Sequence, residues 1–296
     1  MIVIRNFLPD DANGISQLFR EVYADRYVYP DIYVPTMISW HNAQRHWQSA
    51  VAVKNGSIIG HAALWQDDTT HCAELAMFAT HPDGRHRGVA TRLGMHLCCE
   101  ARKQQLSTLT IKMVCSHAYS QQMAKRLGFH TTALLRDYVV SPFKSSDRES
   151  VILGVQALQP RPVPQVKEIS GQYSWLPLLS TQFGMTRSLP SIPTSIPLNI
   201  IDNGYRIEVI LYQTSRSLLD EIIHLPYNRL IYLNIRFDSK LTDALPCLYQ
   251  AGFRDTGLIP DNKEGWFWLF QRGFRRHSLQ LNCPVSQMLQ SHSLAI

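Results

Sequence analysis

The residues HPDGRHRGVATRL at positions 81–93 restrict what this chain can become more than any other segment. They follow an apolar stretch, CAELAMFAT (72–80), that reads as a strand. They open a segment, 88–105, in which Ala90, Leu93, Leu97 and Ala101 recur at helical spacing. A strand that turns through a glycine into an amphipathic helix points the helix's first N–H groups, and the positive end of its dipole, at the turn. Anions bind at such ends. Gly88 has no side chain to block close approach, Ala90 barely one, and Arg85 and Arg87 add formal charge. The run is therefore a candidate phosphate cradle. Neither GxGxxG nor GxxxxGK[ST] stands here, and the strand before the turn is not the first in the chain, so the common dinucleotide and P-loop motifs do not describe it.

The rest of the N-terminal half alternates strand and helix signals. A short strand, IVIRNF (2–7), is followed by Pro9, Asp10 and Asp11 as helix starters, and Ile15, Leu18, Phe19 and Val22 then form one apolar helical face. An aromatic connection, 23–40, leads into a hairpin whose strands SAVAVK and SIIGHAALWQ meet at Asn55-Gly56. After the cradle and its helix come a strand TLTIKMV (108–114), a helix 120–127, the turn Gly128-Phe129, and strands near TTALLRDYVV and SVILGVQAL. The spacing Arg85-x-x-Gly88-x-Ala90 after a strand that ends in x-His-Pro, in this order of elements, resembles the GNAT superfamily of acyltransferases over roughly residues 1–157. The resemblance implies an α/β (α+β) fold with a mixed, mostly antiparallel twisted sheet and flanking helices. It also implies acetyl-CoA or another acyl-CoA as cosubstrate, and transfer of the acyl group to a primary amine by direct attack in a ternary complex.

The same resemblance distributes the roles. The pyrophosphate amides map onto Arg85, His86, Arg87, Gly88, Val89, Ala90 and Thr91, and the strand backbone at Phe78, Ala79 and Thr80 would pair with the pantetheine arm. A distortion of that strand in the family turns an N–H toward the thioester oxygen, a donor of the kind that lowers acyl-transfer barriers. An alkylamine, with a pKa of roughly 10, needs a base at neutral pH. Glu74, four residues before Phe78 and on the same strand face, is the candidate, and a solvated or salt-bridged carboxylate is the competing reading. His61 and His81 have suitable unperturbed pKa values, but each reads as structural ahead of catalytic. The family's second motif, N-x-x-A-x-x-x-Y-x-K-x-G-F, anchored on Gly128 and Phe129, puts His117 at the asparagine, Ser120 at the alanine, Arg126 at the lysine and Ala124 at the tyrosine acid. His117, Ser116 or Tyr119 serves instead, or water protonates a thiolate that leaves readily, or the domain binds acyl-CoA without turnover. These alternatives stay open. The acceptor side, in this fold, draws on the region of Tyr23, Tyr27, Tyr29, Tyr33 and Trp40 with Asp25 and Asp31, which suits a cationic amine, an amino acid derivative or a lysine side chain.

Beyond residue 158 the chain changes character. Residues 158–200 are rich in proline and serine and read as a linker with one short helix near 174–183. Residues 201–274 then echo the first half: Gly128-Phe129 recurs as Gly252-Phe253, 124 residues on, and Leu109, Ile111 and Met113 fall on Leu233, Ile235 and Phe237 at the same offset. The echo lacks the cradle, because YRIEVILYQ passes into TSRSLLDEII with no glycine and one arginine. It reads as a reduced, catalytically silent GNAT-like copy that closes the sheet edge or walls the acceptor pocket. Residues 275–296 read as a polar, loosely ordered tail.

Composition narrows the remaining classes. A net charge of +6 comes from scattered Lys and Arg, without the basic helices and interleaved aromatics of a nucleic-acid surface. No stretch reaches the length of a membrane span, and the opening MIVIRNFLPDD is too short an apolar start for a secretory signal. The six cysteines form no CxxC pair, which points to a reducing, cytoplasmic setting and to no metal site. The expected function is an N-acetyltransferase acting on an amine-bearing small molecule or a protein lysine or N-terminus, without nucleic acid or membrane, and a homodimer is compatible with it. The alternative is a non-catalytic acyl-CoA-binding regulatory or scaffold module.

Overall fold

The computed structural model describes residues 1–66, 70–143, 148–166, 173–187, 196–262 and 265–294. They divide into two compact units, one of Met1–His130, Tyr138–Glu149 and Gly154–Gln159, the other of Thr131–Asp137, Ser150–Leu153 and Pro160–Ile296.

The first unit runs β1 (Val3–Asn6), α1 (Ala12–Tyr23), α2 (Pro35–Ala43), β2 (Trp47–Lys54), β3 (Ser57–Gln66), β4 (Cys72–Thr80), α3 (Val89–Lys103), β5 (Thr108–Val114) and α4 (Tyr119–Arg126), with the outer parts of β6 (His130–Val140) and β7 (Arg148–Ala157). Strands β1 to β4 form an antiparallel meander, and β5 joins β4 in parallel. The β2–β3 turn is the expected one, with Asn55 at φ 50° and Gly56 at φ 81°, the left-handed pair that matches strand twist. Helix α1 buries Ile15, Leu18 and Phe19 in a cluster with Ile32, Ile38, Trp47, Val51, Ala63, Met77 and Ala79. Helix α3 buries Leu93, Leu97 and Ala101 as its spacing predicts, but Val89 rather than the expected Ala90, which is half-buried, opens the inward face. Helix α2 lies in what reads from sequence as an aromatic connection. It buries only Ile38 fully, so its residues carry no helical stripe.

The second unit contains the middles of β6 and β7, then β8 (Val163–Pro164), α5 (Trp175–Phe183), β9 (Met185–Thr186), β10 (Leu198–Asp202), β11 (Arg206–Leu211), α6 (Arg216–Ile223), β12 (Leu230–Arg236), α7 (Leu241–Gln250), β13 (Arg254–Pro260), β14 (Trp266–Arg272) and α8 (Pro284–Leu294). Its strand order is β6-β13-β14-β12-β11-β10, in which only β11 and β12 are parallel. Trp175, Trp266, Trp268, Phe253 and Phe270 fill its core. The Trp175 indole donates to Asp255 Oδ2 at 3.0 Å, which ties the short helix of the expected linker into that core. Burial raises the Asp255 pKa, against the pull of nearby His292. The segment expected to be a loose tail instead forms α8 from residue 284. Its inward face is Ser286, Leu289 and Ser293, and the buried serines hide its amphipathicity in the sequence.

At Gly257 the chains of β13 and β6 approach so closely that a Cβ would stand 2.2 Å from the Thr132 carbonyl oxygen, and the residue has φ +113°. Only glycine meets both demands. Its partner across the pair is Ala133, its own equivalent at the offset of 124 residues.

Candidate active site

The cradle begins with a turn of 3-10 helix, Pro82–Gly84, in which His81 accepts from the Asp83 N–H at 3.2 Å and lies 3.6 Å from Glu21. His86, at φ 58°, and Gly88, at φ 70°, then bend the chain into α3. The first intrahelical bond runs from the Arg92 N–H to the Gly88 carbonyl at 2.9 Å, so the N–H groups of Val89, Ala90 and Thr91 find no acceptor within the helix. A Cβ at Gly88 would meet nothing within 4 Å. The positive φ thus calls for glycine there, and the space beside it is open to a ligand. Arg85, His86 and Arg87 are exposed around that space. The structure gathers the seven expected residues, 85–91, into one anion-ready turn.

Beside the turn the two parallel strands part. Strands β4 and β5 pair at Cys72–Thr108, Ala73–Leu109 and Glu74–Thr110, and among the described residues the remainder of β4, which carries Phe78, Ala79 and Thr80, has no strand partner on that side. In the second unit β11 and β12 pair without interruption from Arg206–Leu230 to Leu211–Ile235. The other edge of β4 is distorted as well. Its register with β3 slips between His61–Ala79 and Ala63–Ala76, and Met77 adopts φ 55°. This is a bulge, whose extra residue drops out of the ladder. Two side chains hold its carbonyls: the His61 Nδ1–H donates to the Met77 oxygen at 2.9 Å, and the Tyr23 hydroxyl donates to the Phe78 oxygen at 2.8 Å. Ser49 completes the His61 site by donating to Nε2 at 3.0 Å. His61 is fully buried, and burial pushes its pKa down to about 4, so the ring is neutral and serves as a brace. Burial pushes the Tyr23 phenol up to about 12.

Glu74 faces the same side of the sheet as Thr110 and Lys112. Its carboxylate pairs with the Lys112 ammonium at 2.5 Å, with 19% and 25% of the two side chains exposed. Burial opposes the charge on Lys112, but Glu74, with Tyr138 and Tyr29 nearby, raises its pKa well above the ordinary lysine value. The ammonium also lies 5.3 Å from the Tyr138 ring centre. Around this pair stand aromatic rings: Trp65, which pairs with Glu74 across β3–β4, Tyr29 at 5.0 Å from Trp65, and Tyr27 at 5.8 Å from Tyr29. Burial raises the Tyr27 pKa well above normal. Of the expected acceptor residues, Tyr33 accepts from the Tyr27 N–H, while Trp40 is exposed and packs on His41 and His46. Asp25 pairs with Arg20, and Asp31 with His41. The two carboxylates expected to greet a cationic acceptor are therefore already engaged. Sequence reasoning found Glu74 but neither Lys112 nor Tyr138.

At the position of the family's acid, Ala124 is buried and its carbonyl accepts from the Phe129 N–H. Tyr119 is 72% exposed, with its ring 5.5 Å from that of His117. His117 Nδ1 is buried and has no hydrogen-bond partner among the described residues. Ser116 donates to Glu149. No cluster of His, Cys, Asp and Glu suited to a metal occurs among the described residues.

A mostly antiparallel α/β sheet with flanking helices, an anion-ready turn and a parted parallel pair defines the class of fold. Residues 13–129 match the model of the Acetyltransferase (GNAT) family. Among solved structures the chain is similar to the ribosomal-protein-S18-alanine N-acetyltransferase from Escherichia coli, at 19% identity over 54% of this chain and 95% of that one, with a TM-score of 0.45. It is similar also to an N-acetyltransferase from Staphylococcus aureus Mu50 (19% identity, 54% and 99% covered, TM-score 0.45). A GNAT-family acetyltransferase from Streptococcus pneumoniae shares 13% identity over 53% of this chain and all of that one, with a TM-score of 0.47. Among curated proteins none matches.

Proposed function

We propose that the N-terminal domain is an acyl-CoA-dependent N-acyltransferase, with acetyl as its default group, that acylates a primary amine of a small molecule or protein in a ternary complex. The carrying observation is the anion-ready start of α3, with its open Gly88, beside a parallel strand pair that parts after Glu74. Bound acyl-CoA supplies an activated thioester carbonyl. The backbone of residues 85–91 holds its pyrophosphate, and the unpaired edge of β4 at Phe78, Ala79 and Thr80 takes the pantetheine arm as another strand would. The braced bulge supports an N–H aimed at the thioester oxygen. Glu74 accepts the proton that the amine gives up as its nitrogen bonds to the acyl carbon and the C–S bond breaks. His117, whose buried Nδ1 has no hydrogen-bond partner among the described residues, is favoured over exposed Tyr119 as proton source for the departing thiolate, with water as the other source.

The second half is a reduced GNAT-like copy without catalysis. Support comes from its order of strands, from the meeting of Gly257 with its equivalent Ala133, and from β11 and β12, which leave no gap for a pantetheine arm. Six cysteines without a disulfide suit a reducing compartment such as the cytoplasm, and no helix among the described residues is long and apolar enough to cross a membrane.

Buried Ala124 favours one other reading, a domain that binds acyl-CoA without turnover. Incubating the full chain with acetyl-CoA and a broad amine panel, with detection of free thiol, separates the two. Acceptor-dependent thiol release establishes the enzyme. CoA binding without release by any amine establishes the binding module.

A further inference from the structure

Where β4 and β5 of the first unit part, an anion and a cation are bound to each other. Glu74 and Lys112 project from neighbouring strands where β4 and β5 part, and neither has another ion-pair partner among the described residues. Asp25 and Asp31, the other carboxylates of this region, are held by Arg20 and His41. A lone ammonium that approached Glu74 would have to displace Lys112 and leave it unpaired among Trp65, Tyr29 and Tyr138, a costly state for a partly desolvated charge. An acceptor that carries a carboxylate next to its amine avoids that cost. We propose, resting on the acyltransferase reading, that the acceptor is an amino carboxylate: its ammonium takes Glu74 while its carboxylate takes Lys112.

The exchange leaves every charge paired, and it has a kinetic consequence. While Lys112 is bound to Glu74, its ammonium occupies the carboxylate oxygen that an incoming amine would need. Withdrawal of the ammonium to the substrate's carboxylate frees Glu74 to receive the amine proton. The base is thus unmasked by the part of the substrate that does not react. The aromatic rings beside the pair suit a large apolar or aromatic side chain on the same molecule. An uncharged amide or a decarboxylated amine would leave Lys112 where it is.

The test uses the full chain, acetyl-CoA, and free-thiol detection with the protein amino acids, their amides and their decarboxylated amines. At least one amino acid should show a kcat/KM about tenfold or more above its matched amide and amine. Lys112→Gln should bring that ratio close to one, and Lys112→Arg should preserve it. Circular dichroism and calorimetric CoA binding confirm that each variant is folded. An amide or amine used as well as the matched amino acid overturns the inference, as does a ratio that Lys112→Gln leaves unchanged. CoA binding with no amino acid acylated overturns it too, while leaving the cradle standing. Failure of the wild type to bind CoA overturns the underlying acyltransferase reading as well.

Discussion

His61 is an imidazole with no exposed surface, and its two nitrogens hold a strand bulge in place, which makes it a pH-sensitive support for the site. Its pKa is near 4 in the folded protein and about 6.5 in the unfolded chain, so between those values only the unfolded chain takes the proton. The stabilisation is complete above about pH 6.5 and drains away as pH falls to about 4, by about 3 kcal/mol in all. Urea unfolding at a series of pH values should show the wild type losing about that much more stability than His61→Leu over this window. Equal losses would mean that His61 is not the buried neutral group described. Glu74 makes a chemical prediction instead. Glu74→Gln should lower kcat by about a hundredfold and leave the KM for acetyl-CoA nearly unchanged, because the residue lies away from the cradle. Steady-state kinetics checks both values. Glu74 stood out as a candidate through the family resemblance, with strand alternation placing it on the face of Phe78. Lys112, 38 residues away in sequence, did not, because only the short parallel register of β4 with β5 brings it near.

Elements were legible where burial alternates cleanly. Strands β4 and β5 run over the expected residues 72–80 and 108–114, and the Asn55-Gly56 turn sits where its dipeptide puts it. Helices α2 and α8 were not, for the same physical reason: one buries Ile38 alone, and the other buries serines along with Leu289, so neither shows an apolar stripe. The bulge in β4 and the separation of β4 from β5 are backbone events with no composition signal, yet they shape the site. Gly257 offers a test of strand contact in the second unit. A methyl group there would collide with the Thr132 carbonyl and must also adopt φ +113°, so Gly257→Ala should destabilise that unit by roughly 2–4 kcal/mol. Hydrogen exchange at β13 and β6 should accelerate, while exchange in β2 and β3 should stay as in the wild type. Unaltered protection in β13 would show that the close approach is not needed.

Within the described residues, the turn that opens α3 lies inside residues 13–129, which match the family model, and β11 and β12 of the second unit pair without the gap that separates β4 from β5. The order of elements was readable in advance because it depends on local pattern and on glycine. The acid was not, since buried Ala124 removes the usual group and nothing in sequence names its replacement. On the function proposed above, the start of α3 is the chain's single acyl-CoA site. Isothermal titration of acetyl-CoA into the full chain is the decisive measurement. One equivalent should bind per chain, and Gly88→Trp, which fills the open space beside the cradle, should abolish binding without unfolding the protein. Two equivalents, none, or a dissociation constant unchanged in Gly88→Trp would contradict it.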